Sequence, residues 1–205
     1  MISHHNFVSL KELSPHLLIQ ADYARPHNFT GQIVPGYKAV KALLPAPVAE
    51  ALLKAESLAF SRGLGLKIFD AYRPVKAVEF FQEWALLEES NMAIKEKFYP
   101  DFTRHQLFEK GFIARQSIHS QGMAIDLTLY DLDTKNELDM GTIFDFFGDR
   151  SYTNSSDLFP NQRENRRLLV EIMESQKFKN YHMEWWHFTY LGIPLPNHYF
   201  DFDIT

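Results

Sequence analysis

A carboxylate in the middle of a strand built for burial constrains this chain more than any other feature. In Ser117-Ile118-His119-Ser120-Gln121-Gly122-Met123-Ala124-Ile125-Asp126 and the residues after it, Met123, Ile125, Leu127 and Leu129 alternate onto one apolar face. Ala124, Asp126 and Thr128 share the other face, so Asp126 is the single charge on that face and needs a partner. His119 lies seven residues earlier with the opposite parity. A straight strand would aim it at the wrong face, and Gly122 stands where a turn or bulge can bring imidazole and carboxylate together. Such a pair can ligate a metal, or each can be a hydrogen-bonded structural residue.

A second stretch bears on that choice. Met183-Glu184-Trp185-Trp186-His187-Phe188-Thr189-Tyr190 carries a Glu three residues before a His in an aromatic, β-prone setting. A catalytic zinc usually takes three protein ligands and a water, and His119, Asp126 and His187 would supply two imidazoles and a carboxylate. Glu184 is then free to move the proton of the attacking water. The helical H-E-x-x-H of other metalloproteases is not present, so that motif lends no support. The chain has no cysteine, which removes thiolate ligands, disulfides and a Cys nucleophile together.

These residues carry a resemblance. Ser117, His119, Gly122, Ala124 and Asp126 complete an S-x-H-x-x-G-x-A-x-D pattern, and Glu184, Trp186 and His187 an E-x-W-H pattern. Asn28-Phe29-Thr30-Gly31 with Gly36-Tyr37, Asp70-Ala71-Tyr72-Arg73-Pro74, and Met140-Gly141-Thr142-Ile143-Phe144-Asp145 add to them. Over residues 20–190 or so the chain resembles the VanX-type D-alanyl-D-alanine dipeptidases. That zinc peptidase family also contains D,D-carboxypeptidases and shares a fold with the Hedgehog signalling domain. The chain departs from the family pattern at Ile143, usually proline there, and at Ala71, often glycine.

The resemblance implies one zinc ion on His119, Asp126 and His187, with Glu184 as general base and Arg73 stabilising the oxyanion. It implies a small D,D-dipeptide substrate whose free ammonium meets Asp145, with Ser117 and Tyr23 nearby. The fold it implies is α+β, a small antiparallel sheet flanked by helices, and length and composition point to a single domain over residues 1–205. Read without it, Arg73 could be a surface partner of Asp70, and Asp145 a turn carboxylate held by backbone amides. Two other functions stay open: a carboxypeptidase acting on peptidoglycan stems, and a non-catalytic zinc-binding module. The resemblance is compatible with antibiotic resistance, D-alanine reuse or cell-wall turnover as the biological purpose.

With 205 residues and 45% hydrophobic content, the chain can bury a sizeable core. A net charge of −5, without a basic stripe, gives no reason to expect a nucleic-acid or anionic-membrane partner. The first residues show no basic region followed by an apolar run, which leads to the expectation of a cytoplasmic protein. Apolar spacing predicts helices over 47–62, 75–89 and 161–178, the last with Asn161 and Glu164 in a capping-box-like arrangement. Two short helical pieces are expected between Ser90 and Phe112, and strands at 17–19, 66–72 and 181–190. Residues 130–138 read as a hairpin return without the glycine and terminal Glu of a calcium loop. The tail after Pro194 is expected to lie along the surface.

Overall fold

The alternation after Gly122 becomes the middle strand of the molecule, in a computed structural model that describes residues 3–205. In chain order the elements are β1 (Phe7–Ser9), α1 (Leu10–Leu13), β2 (Leu18–Ile19), β3 (Leu43–Pro45), α2 (Ala46–Phe60), β4 (Leu64–Asp70) and α3 (Val75–Ala85). There follow α4 (Met92–Phe98), α5 (Arg104–Glu109), β5 (Ala124–Asp131), α6 (Pro160–Glu174), β6 (Phe178–Tyr181) and β7 (Glu184–Tyr190).

The main sheet has the order β2-β4-β5-β7-β6, and β1 pairs separately with β3. The architecture is α+β, but the sheet is mixed rather than purely antiparallel, because β2 runs parallel to β4. Between them lies a long excursion through β3 and α2, and a crossover of that kind returns the chain in the same direction. Helices α2 and α6 pack against the sheet and against each other. Val48, Leu52, Ala55 and Ala59 of α2 and Leu169, Ile172 and Met173 of α6 are all buried there with Ile125, Leu127 and Leu129 of β5.

Helix ends follow burial more than periodicity. Helix α3 stops at Ala85 rather than at Glu89, since Leu86 and Leu87 find nothing to cover them and stand exposed. Helix α6 stops at Glu174 because Phe178 is drawn into the sheet opposite Tyr190. Its first turn is not capped by Asn161 and Glu164: the Phe159 N–H donates to Gln162 Oε1 at 3.0 Å, while Glu164 pairs on the surface with Arg167. The two short helices after Ser90 and the 130–138 return are formed as expected, the latter with Tyr130 bridged to Glu137. The tail is not merely superficial: Phe200 and Ile204 are buried, and the Phe200 N–H donates to the Ser120 carbonyl at 2.7 Å. Among the described residues, no helix is long and apolar enough to cross a membrane.

Candidate active site

Sheet register brings the carboxylate and one imidazole together. Asp126 of β5 stands directly opposite His187 of β7, so both side chains leave the same face. On the other side of β5, an irregularity between Ile68 and Asp70 leaves Phe69 unpaired and sets Asp70 level with Asp126. His119 comes from a short 3₁₀ turn, Ile118–Gln121, and not from the strand, which removes the parity problem. Gly122 ends that turn at φ 73°, with its N–H donating to the His119 carbonyl at 2.9 Å. A Cβ there would lie 2.7 Å from the Phe7 ring and 2.8 Å from Pro45, so both the backbone conformation and the space favour glycine.

Three donor groups converge. His187 Nδ1 lies 2.9 Å from Asp126 Oδ1, His119 Nε2 lies 3.2 Å from Asp126 Oδ2, and the two ring nitrogens are 3.1 Å apart. Lone pairs this close repel unless a proton or a cation lies among them. The spacings approach the roughly 3.3 Å edge of a tetrahedron with zinc bonds near 2.05 Å. His119 Nδ1–H donates to the Ala71 carbonyl at 2.5 Å, which turns Nε2 toward the other two donors. Two imidazoles and a carboxylate, with no sulfur, form a donor set that suits zinc. Burial opposes the charge on Asp126, but His119 and His187 outweigh it and hold the carboxyl well below the usual range.

The other predicted residues surround this triad. Together with the triad they make eight, and all of Tyr23, Arg73, Ser117, His119, Asp126, Asp145, Glu184 and His187 line one cleft of about 260 Å³. Glu184 opens β7 with Oε2 4.0 Å from His187 Nδ1. Burial pushes its carboxyl up to about 7, with Asp126 adding and His187 and Arg73 opposing. Arg73 donates from Nε to Asp70 Oδ2 at 2.9 Å and from Nη2 to Asp126 Oδ2 at 3.4 Å, and its guanidinium lies over the Tyr23 and Phe81 rings. It is therefore no surface arginine. Ser117 also caps the 3₁₀ turn, its Oγ accepting the His119 N–H at 3.2 Å.

Asp145 is buried, at φ 60°, and accepts from the Tyr23 hydroxyl at 2.9 Å rather than from a ring of backbone amides. Burial first, and then the charge of Asp126, raise its carboxyl well above the ordinary value. A carboxylate so placed has room for a cationic partner in the cleft.

One important residue is missing from the sequence-based set. Asp70 is buried, accepts from Tyr37 Oη at 2.7 Å, and holds the Arg73 fork. It lies inside the Asp70–Pro74 stretch already singled out, but nothing in local spacing reveals the β-bulge that turns it toward Asp126.

The family described as D-ala-D-ala dipeptidase (peptidase M15) matches residues 3–205. The chain belongs to this dipeptidase family. It is 43% identical over 198 residues to a D-alanyl-D-alanine dipeptidase of Enterococcus faecium, covering 97% of this chain and 98% of that one. To a D-alanyl-D-alanine dipeptidase of Streptomyces coelicolor it is 37% identical over 200 residues, with 98% of each chain covered. A solved structure of VanYB in complex with D-alanine-D-alanine shares 16% identity at a TM-score of 0.45, over 74% of this chain and 73% of that one. In this member of the dipeptidase family the departure at Ala71 is buried and keeps its carbonyl on His119, while Ile143 is half-exposed in the turn ahead of Asp145.

Proposed function

We propose that the chain, residues 1–205, acts as one catalytic unit that hydrolyses D-alanyl-D-alanine to two molecules of D-alanine. The observation that carries this reading is the convergence of the donor triad, Glu184, Arg73 and Asp145 in one cleft. Membership of the dipeptidase family, and the names of relatives aligned over nearly the whole chain, support the substrate. His119 Nε2, Asp126 and His187 Nδ1 would hold one zinc ion, which when bound polarises the peptide carbonyl and lowers the pKa of water.

The remaining work falls to the chain's own groups. Glu184, poised near neutrality, takes the proton of the attacking water as the C–O bond forms and delivers it to the leaving nitrogen as the C–N bond breaks. Arg73 stays charged and offers donors in a fixed fork to the oxyanion, oriented by Asp70. Asp145, set by Tyr23, binds the free ammonium of the dipeptide, with Ser117 on the wall of the cleft beside the triad. An ammonium requirement of this kind selects free dipeptides over longer or capped chains.

Alanine release from the zinc-loaded protein tests the reading, with D-alanyl-D-alanine run beside L-alanyl-L-alanine and an acyl-capped D,D-dipeptide. Release from the free D,D-dipeptide alone is expected. Equal release from the capped substrate would make the enzyme a carboxypeptidase, and release from neither would return the chain to a zinc-binding module.

A further inference from the structure

The loop that carries Asp145 is closed at its neck by a buried cation that makes no direct ion pair among the described residues. Arg166 of α6 is 1% exposed. Its Nε donates to the Met140 carbonyl at 2.6 Å, Nη1 to that of Tyr152 at 2.7 Å, and Nη2 to that of Arg150 at 2.9 Å. Met140 lies at the entrance of the loop, and Arg150 and Tyr152 at its exit, so one guanidinium spans both ends. The neighbouring Arg167 is exposed and pairs with Glu164 and Glu171, whereas Arg166 forms no ion pair among the described residues. Its charge is met by the three carbonyl dipoles and by the face of Trp185, 5.7 Å from Cζ, with the Asp139 carboxylate acting from beyond ion-pair distance.

A buried charge without a direct ion pair is expensive, and burial lowers the Arg166 pKa to about 10, with Arg150 adding and Asp139 opposing. The core of α6 could have been filled by an apolar residue at that position without such a cost. A planar group with several donors in fixed directions is suited to satisfying three carbonyls from two chain segments at once. Side chains next to it repeat the same task. Gln162 Nε2 donates to Asp139 Oδ2 at 2.8 Å, Asn165 Nδ2 to the Asp139 carbonyl at 2.9 Å, and Trp185 Nε1 to Thr142 Oγ1 at 2.8 Å. The loop between these anchors contains no strand or α-helix, and Asp145 within it holds a left-handed backbone that a non-glycine residue keeps only when its surroundings impose it.

We propose that Arg166 is a positioning residue for substrate selection: it clasps the neck of the 140–152 loop and so fixes the Asp145 carboxylate where the substrate's ammonium binds. The proposal rests on the ammonium role given to Asp145. Arg166 touches no substrate and takes no part in bond breaking, so its loss acts on recognition and leaves the zinc triad and Glu184 in place.

The test uses the zinc-loaded full chain with Arg166→Met, which keeps the side-chain bulk, and Arg166→Lys, which keeps the charge but not the fork. Arg167→Ala serves as a control on the same helix. Two readouts are taken: hydrogen–deuterium exchange of the 141–149 segment against β5 and β7, and KM and kcat on free and acyl-capped D,D-dipeptide. The expected result is faster exchange confined to the loop, with KM for the free dipeptide raised about tenfold and kcat within about threefold. Arg166→Lys should fall between Arg166→Met and the parent, and Arg167→Ala should match the parent. Unchanged loop exchange in both Arg166 variants overturns the clasp, and so does exchange that rises equally in β5 and β7, which would make Arg166 a stability residue. If Arg166→Met does not fold, Arg166→Lys carries both readouts. Asp145→Asn separates the two readings: if it leaves KM unmoved, the ammonium role is lost, and loop exchange in the Arg166 variants still decides the clasp.

Discussion

The two ends of the cleft are held by different physics. At the metal end, Asp126 and His187 sit on neighbouring strands whose backbones are locked by the ladder, and His119 hangs from a turn closed by Gly122. At the ammonium end, Asp145 stands on an irregular loop at φ 60°, held by the Tyr23 hydroxyl and, further back, by side chains of α6. Bond breaking needs groups placed to within a fraction of an ångström, and the hydrogen-bonded sheet supplies much of that placement, with the Ser117 and Asp70 side chains completing it. On the proposed reading, recognition is delegated to a loop, where sequence can change at little cost to the fold, and rigidity there has to be supplied by buried donors. Substitutions at the metal end should therefore act on turnover, and those at the ammonium end on binding.

The largest effect expected from this contrast is at Glu184. Glu184→Ala should lower kcat by about a hundredfold to ten-thousandfold while zinc content stays at one per chain, as measured by steady-state kinetics and metal analysis. Near-full turnover with zinc bound would remove Glu184 from the mechanism and erase the distinction between the two ends.

The next effect is on stability and needs no substrate. In chelator-treated protein, burial raises the Glu184 carboxyl from 4.5 to about 7, so between those values the folded state keeps a proton that the unfolded state has released. Stability falls as pH rises through that window, by up to about 3 kcal/mol, and the loss is complete above it. Asp145, raised by burial as well, contributes a slope of the same sign that persists when Glu184 is changed. Urea unfolding of parent and Glu184→Gln at about pH 5 and about pH 7.5 should show the flatter profile in the variant. Identical profiles would mean that Glu184 is not the titrating group.

The smallest effect belongs to the loop. Asp145→Asn should raise KM for free D-alanyl-D-alanine about tenfold, keep kcat within about threefold, and narrow the gap between free and capped substrates. A fall in kcat with KM unchanged would place Asp145 with the catalytic groups and break the division between the ends.

Much of the site was legible locally because its residues sit in short motifs of fixed chemistry. The alternation of Met123 to Leu129 marked Asp126 as an exception on its strand, and the parity of His119 required the turn that Gly122 makes. The resemblance supplied the roles of Arg73, Asp145, Ser117 and Tyr23, and all of them line the same cleft. Helix ends were less legible, since Leu86 and Leu87 continue a helical spacing but find no surface to cover them.

What no stretch of sequence could announce depends on distance in space. Asp70 joins the site only because a bulge shifts the β4 register against β5, and β2 becomes a parallel edge only because of the path the chain takes between the two strands. Arg166 reads as an ordinary polar residue of an amphipathic helix until the carbonyls of Met140, Arg150 and Tyr152 close around it. Local pattern determines which side chains face a core and which residue types can bind a metal, because both follow from backbone periodicity and side-chain chemistry. Register, strand direction and the partner of a buried charge are settled by packing between segments far apart in the chain, so they emerge only with the tertiary structure.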